Sequence, residues 1–270
     1  MSGRTLDAAA IETLLAGVVR AWDDRSADSL TSHGARSLLR QEAHRLARTV
    51  ALLDPERAPR RVLEIGTGYL TLAATLHRLL PEARLVGLEH PGRRYVWTAE
   101  YQKALRTHAV TLVTADVEWP LPFGARAFDA VFFAEVVEHL PPNVVPGVLR
   151  ELARVLEPGG ALVLTTPNLA AWTNRELLLR GHSPQQPAGA VIDGTYGHLR
   201  LYTMAELVEM LEAAGFVVPR RVYIDRVPVG ISRARRWLTA ATAPARRVWP
   251  ALRDTCAVRA ERAGAPTRRT

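Results

Sequence analysis

The run Val62-Leu63-Glu64-Ile65-Gly66-Thr67-Gly68-Tyr69-Leu70 changes character halfway along. Before Gly66 it is a short apolar strand; from Leu70 to Leu80 the apolar spacing is helical, and Pro81 ends it. Strand, glycine turn and helix in that order form the opening of a βαβ unit, and the pattern repeats. Leu85–Glu89, Val110–Val113, Phe128–Phe133 and Ala161–Thr166 read as four more strands. Helical segments over 93–108 and 144–156 lie between them, the latter closed by Pro158-Gly159-Gly160. Continuous apolar strands separated by helices predict a parallel sheet covered on both faces.

The flanks complete this architecture. Residues 7–20 and 35–53 carry apolar positions at helical spacing, among them Leu38, Leu39, Ala43, Leu46, Val50 and Leu53. Thr203–Ala214 reads as an amphipathic helix with Gly215 as its cap, Phe216–Asp225 as a strand and 254–261 as a last strand. Five divisions follow. Residues 1–55 are an N-terminal helical cap, 56–168 the core, and 169–202 an insertion or lid. Residues 203–262 are the rest of the core with a basic helix, and 263–270 a frayed tail. The expected fold is α/β, with a doubly wound, mostly parallel seven-stranded sheet.

Composition excludes several classes. The single Cys256 can form neither an internal disulfide nor a cysteine metal site. The apolar N-terminal stretch is broken by Glu12 and is followed by no cleavage signature, and no run reaches the length of a spanning helix. A cytoplasmic chain is therefore expected. The net charge of +8 is uneven: from Pro219 onward thirteen arginines face only Asp225, Asp254 and Glu261. An arginine bias of this kind is poor evidence for nucleic-acid binding, so no nucleic-acid partner is expected. The segment 231–249 combines Arg233, Arg235, Arg236, Arg246 and Arg247 with Ile231, Trp237, Leu238, Val248 and Trp249, and is interrupted by Pro244. Such a segment can contact an anionic surface, or pack on the domain edge with its arginines in water.

The glycine turn marks a ligand site, because open parallel sheets bind ligands beyond the carboxyl ends of their strands. Gly66 and Gly68 let backbone approach a ligand closely. Glu89, closing the next strand twenty-five positions after Glu64, can accept both hydrogen bonds of a ribose diol. A dinucleotide site would want a small residue at position 71, where this chain has Thr71, and a pyrophosphate disfavours Glu64 beside it. A cationic ligand suits the acidic loop better.

Five motifs in order carry a family resemblance. They are Glu64-Ile65-Gly66-Thr67-Gly68, Leu88-Glu89, Ala115-Asp116-Val117, Phe128-Asp129 with Glu135-Val136-Val137-Glu138-His139-Leu140, and Pro158-Gly159-Gly160 with Thr165-Thr166-Pro167-Asn168. Together they resemble the class I S-adenosylmethionine (SAM)-dependent methyltransferases, in particular the bacterial branch similar to ubiquinone-biosynthesis O-methyltransferases, over roughly residues 35–262. The family often has a third glycine where this chain has Leu70. The resemblance implies SAM as cofactor and a Rossmann-like fold. Gly66, Thr67 and Gly68 would cradle the methionine and ribose portions. Glu64 would hold the loop or the ammonium group, and Glu89 the ribose hydroxyls. Asp116 would accept from the adenine amino group with Val117 packed on the ring, and Glu135 would border the sulfonium.

On the acceptor side Glu135, Glu138 and His139 would share one face of a helical turn that Pro141 and Pro142 stop, and His198 would close over it. His139 then serves as a general base or polar wall for a small-molecule hydroxyl. Alternatively Glu135, Glu138, His139 and His198 bind a divalent metal, as in the similar E-x-x-E-H pattern of the metal-dependent small-RNA 2′-O-methyltransferases. A third reading makes Glu138 and His139 simply a helix start. Asn168, Asn174, Tyr196, Arg200 and Tyr202 are candidate lid residues. The function expected is O-methylation of a small metabolite, in a specialised or sugar pathway. The alternatives are RNA 2′-O-methylation and a non-catalytic SAM-binding or interaction module.

Overall fold

A computed structural model of the chain describes residues 7–22, 33–54, 56–185, 191–192, 195–226 and 233–263. Two helices lead in, α1 (Ala8–Trp22) and α2 (His33–Val50). The core follows as β1 (Arg61–Ile65), α3 (Thr71–Leu79), β2 (Arg84–Glu89), α4 (Ala99–Thr107), β3 (Val110–Thr114), β4 (Phe128–Ala134), α5 (Val145–Val155) and β5 (Leu156–Pro167). Next come α6 (Trp172–Leu179) and a small hairpin of β6 (Val191–Ile192) and β7 (Thr195–Tyr196). The chain closes with α7 (Met204–Ala213), β8 (Phe216–Ile224), α8 (Arg233–Val248) and β9 (Thr255–Arg262).

Seven strands form one sheet in the order β3-β2-β1-β4-β5-β9-β8. Every pairing from β3 through β5 is parallel, and β9 runs antiparallel to both its neighbours. The sheet is buried on both faces, as the unbroken apolar strands require. On β1, Leu63 and Ile65 join a cluster with Leu149 and Leu152 of α5 and Leu207 of α7. Val62, just before Leu63, faces the other way, into a cluster with Leu46 of α2, Leu76 of α3 and Leu105 of α4. The strand order reverses between β1 and β4, and a crevice opens there beyond the carboxyl ends. Among the described residues no helix is long and apolar enough to cross a membrane.

Four local expectations change. The helix expected over 93–108 is split: Arg94–Trp97 is a 3₁₀ turn, and Thr98 accepts from the Tyr101 amide to start α4 afresh. Pro158-Gly159-Gly160 does not close α5 but lies within β5. Gly159 has φ +76° and the β4–β5 register jumps from Phe128–Leu156 to Ala130–Ala161, so the stretch is a bulge. The basic segment is not interrupted at Pro244, since α8 runs through it. Pro244 and Ala240, whose carbonyl loses its amide partner, are both exposed, so water can satisfy the lost bond. The acceptor-side stretch is not a full helical turn but a three-residue 3₁₀ turn, Val137–His139, with Glu135 outside it. Pro187, Gly189, Gly194, Ile231 and the expected frayed tail beyond Ala263 lie outside the described residues.

At the opposite edge from the crevice, Asp129 pins β1 to β4. Its carboxylate accepts from the Arg60 and Arg61 amides at 2.9 Å each and from the Arg61 guanidinium. These bonds hold the carboxyl below its usual range against the opposing effect of burial. Asp129→Ala is expected to cost about 1 kcal/mol, because partly exposed donors lose a charged acceptor. A depressed carboxyl contributes stability that is complete above its unfolded value and is lost as pH falls through the folded value. Urea unfolding of both proteins at neutral and acid pH checks this: the gap between them should shrink on acidification.

Candidate active site

The crevice is built around a strained loop. Gly66 has φ +76°, Gly68 +47° and Leu70 +61°, three left-handed residues within five positions. Leu70 occupies the place of the family's third glycine and carries that strain on a leucine, fully buried in the core. A Cβ on Gly66 would lie 2.8 Å from Val136 Cγ2, so only glycine lets this loop pass so close to the turn after β4.

Glu89 organises the loop. Its Oε2 accepts from the Gly68 amide at 2.9 Å, the Tyr95 hydroxyl at 3.0 Å and the Thr67 hydroxyl at 3.3 Å. Its Oε1 accepts from the His90 amide at 2.8 Å. The carboxylate expected to meet a ribose diol therefore also fixes the glycine turn. Tyr95 and Tyr101 were absent from the sequence reading, although Tyr101 bonds Thr67 at 2.6 Å. They come from the split helix, and only the split aims Tyr95 at Glu89. Burial and the Glu89 charge raise both phenols, keeping them neutral donors. Glu64 is buried beneath the loop, with Oε2 lacking a hydrogen-bond partner. Burial and then Glu89 push its carboxyl well above the usual range. A buried, unsatisfied carboxyl fits a ligand that brings an ammonium group. Asp116 is farther out, accepting from the Glu118 amide at 3.0 Å with His90 Nε2 at 3.9 Å, and Val117 is packed in the core.

The acceptor side begins at Glu135, a non-glycine residue at φ +57°. This turn swings its side chain out of the line of β4, where Oε1 accepts from Thr165 Oγ1 at 2.8 Å. Arg45 of α2 reaches the same spot, 3.8 Å from Glu135 Oε1, while pairing with Glu42 at 2.5 Å. The sequence offered little to find it: Glu42 and Arg45 are three apart beside the apolar stripe of α2, a common surface pairing. Glu138 is fully buried, accepts from Thr166 Oγ1 at 2.9 Å and keeps Oε1 without a hydrogen-bond partner. Burial, then the Glu135 charge, raises its carboxyl well above normal.

His198 arrives by a backbone tether. The amides of Leu199 and Arg200 donate to the Glu138 carbonyl at 2.7 and 3.3 Å. The His139 and His198 rings then lie 4.9 Å apart, and one ligand atom each of Glu138, His139 and His198 falls within 4.8 Å of the others. Glu135, the fourth metal candidate, instead faces Thr165 and Arg45. Burial and then His139 lower the His198 pKa. A cavity of about 400 Å³ opens beside Glu135, with Arg45, Ile224, Asp225, Arg226 and Thr255 on its wall.

The candidate lid residues have structural partners. Asn168 is buried and donates to the Ala251 and Arg253 carbonyls at 2.7 Å each, and Asn174 donates to the Asn168 carbonyl at 2.8 Å. Arg200 pairs with Glu206 at 2.8 Å and lies over the buried Tyr202 ring. The side chain of Tyr196 lies outside the described residues.

Glu89→Gln keeps the shape of residue 89 but replaces one acceptor oxygen by a donor. Calorimetric titration with S-adenosylhomocysteine should show at least a tenfold loss of affinity, about 1.4 kcal/mol. NADH should show no binding to either protein.

The chain matches the family described as "Methyltransferase domain" over residues 38–219. It is 31% identical to a malonyl-[acyl-carrier protein] O-methyltransferase of Laribacter hongkongensis, over 74% of this chain and 64% of that protein. It is 27% identical to the mitochondrial ubiquinone biosynthesis O-methyltransferase of Rattus norvegicus, over 80% of this chain and 62% of that one. The chain thus spans less than two thirds of the length of these curated relatives. Among solved structures, the 1,6-didemethyltoxoflavin-N1-methyltransferase of Burkholderia thailandensis, with bound S-adenosylhomocysteine, superposes with a TM-score of 0.54 at 18% identity. The match covers 93% of this chain and 89% of that one, and shows a shared fold. Domain match, seven-stranded topology and glycine loop agree: the chain belongs to the class I SAM-dependent methyltransferase family.

Proposed function

We propose that the chain transfers the methyl group of SAM to an oxygen of a small acceptor held in the cavity beside Glu135. The observation that carries this reading is the gathering of Glu138, His139 and His198 at the carboxyl edge. The two curated relatives above, both named as O-methyltransferases, support oxygen as the acceptor atom.

SAM supplies an electrophilic methyl group on a sulfonium. The glycine loop and Glu89 hold the cofactor, and Glu64 and Glu135 present carboxyls to its cationic end. The cavity wall aligns the acceptor and excludes water, which accounts for much of the rate. A hydroxyl must also lose its proton. Burial keeps His198 in its neutral form through physiological pH, so it can take that proton.

A second reading is favoured by the Glu138 oxygen that lacks a hydrogen-bond partner. Glu138, His139 and His198 would hold a divalent cation, which as a Lewis acid would acidify an acceptor hydroxyl. That chemistry would also suit a ribose 2′-hydroxyl of RNA.

The test is a radiolabelled methyl-transfer screen of small hydroxylated acceptors and short RNAs, with chelator and with added Mg²⁺. Turnover of a small acceptor that survives chelation is expected. His198→Ala should then lower kcat about 10²–10⁴-fold while S-adenosylhomocysteine still binds. The wild-type rate should stay flat through neutral pH and fall only below the ordinary histidine range, because His198 must be unprotonated to act and its pKa is depressed. Activity abolished by chelator and restored by Mg²⁺ would select the metal reading. Cofactor binding without turnover of any acceptor would leave only a binding module.

A further inference from the structure

Helix α8 turns several apolar residues to solvent, with Arg247 exposed beside them. Toward the domain it turns Thr242, which is buried, and Arg246, which pairs with Asp225 at 2.9 Å and donates to the Thr239 carbonyl at 2.9 Å. Toward solvent it turns Trp237, Ala240, Ala241, Pro244 and Val248, all exposed and spaced by three or four residues, hence on one face. Trp237 is 78% exposed, Val248 73%, and Trp249, just past the helix end, 66%. An apolar stripe left in water points to a surface that covers it.

The position of the stripe matters as much as its composition. Asp225, the anchor of Arg246, lines the acceptor cavity, and Arg253 also approaches it, at 3.7 Å. The helix is therefore anchored to a wall residue of that cavity.

We propose that α8 is an interfacial helix that seats this side of the acceptor cavity on an anionic lipid surface. Charge complementarity selects this occupant. The helix RARRWLTAATAPARRV holds five arginines and no acidic residue. A second copy of so basic a segment would meet it with like charge. A convex helix face also has no groove to register a folded acidic partner, whereas a bilayer needs none. Tryptophans settle at headgroup level, and arginine stems lie along apolar surface while their charges reach phosphates. An acceptor with a long apolar tail would then enter the cavity without leaving the bilayer.

Flotation tests this without turnover, so its failure and that of the proposed reaction are separate. The full chain is mixed with vesicles of phosphatidylcholine alone, and of phosphatidylcholine and phosphatidylglycerol in equal parts, at low and high salt. Binding is expected only to the anionic vesicles and only at low salt. Arg247→Ala should weaken it about fivefold. Trp237→Glu should abolish it, with S-adenosylhomocysteine affinity unchanged as proof of folding. Three results would overturn the proposal: no salt-sensitive flotation of the wild type, flotation indifferent to both substitutions, or capture of an acidic carrier protein without vesicle binding.

Discussion

An excess of carboxyl groups in a confined space governs this structure. Glu64, Glu89 and Glu138 are all buried, with Glu42 and Glu135 beside them. Buried charge is tolerated only when it is paired, hydrogen-bonded or neutralised by a proton. The chain uses all three devices. Arg45 answers Glu42 and Glu135; four donors surround Glu89; Glu64 and Glu138 take up protons more readily than an ordinary carboxyl. A ligand carrying a sulfonium and an ammonium group relieves the same excess from outside. The cost of assembling these groups thus becomes affinity for a cation.

This also explains why the loop is strained where it is. Left-handed residues at 66, 68, 70 and 135 bring backbone amides and carboxyls together at the point where the sheet order reverses. Strain of this kind persists only when the surrounding packing overdetermines it. Leu70 sits in the core and Glu135 is tied to Thr165, both by its side chain and by its amide to the Thr165 carbonyl at 2.8 Å.

The glycine loop and Glu89 were legible in the sequence because they come in short local runs. Glu64 to Gly68 is one strand end, and Glu89 ends the next strand. Periodicity alone located all seven sheet strands, and the capped helix α7 as well. It failed where tertiary contacts override local pattern: at the Thr98 break, at the bulge that absorbs Gly159, and at Pro244, whose lost hydrogen bond faces water. It failed more broadly on the acceptor side. There Arg45 has no local signature and reaches Glu135 from a distant helix; beside the glycine loop, Tyr95 and Tyr101 meet Glu89 and Thr67 only through the break at Thr98.

That contrast between local and distant residues describes how the fold divides its work. The cofactor cradle is made by consecutive strand ends, whose positions the sheet fixes. The cavity beside Glu135 borrows from elements outside the parallel core, Arg45 from α2 and Asp225 from the end of β8, while the return of the insertion brings His198 to Glu138 and His139. Each is held by a few bonds, such as the Leu199 and Arg200 amides on the Glu138 carbonyl or Arg246 on Asp225. Changes in those elements can reshape the cavity without disturbing the sheet, because additive, separable effects are the rule for groups that share no partners. On the proposed reading, acceptor choice would reside in α2, the insertion and the β8–α8 edge, and an arginine-rich helix with apolar residues facing outward would bias that choice toward acceptors presented at an anionic surface.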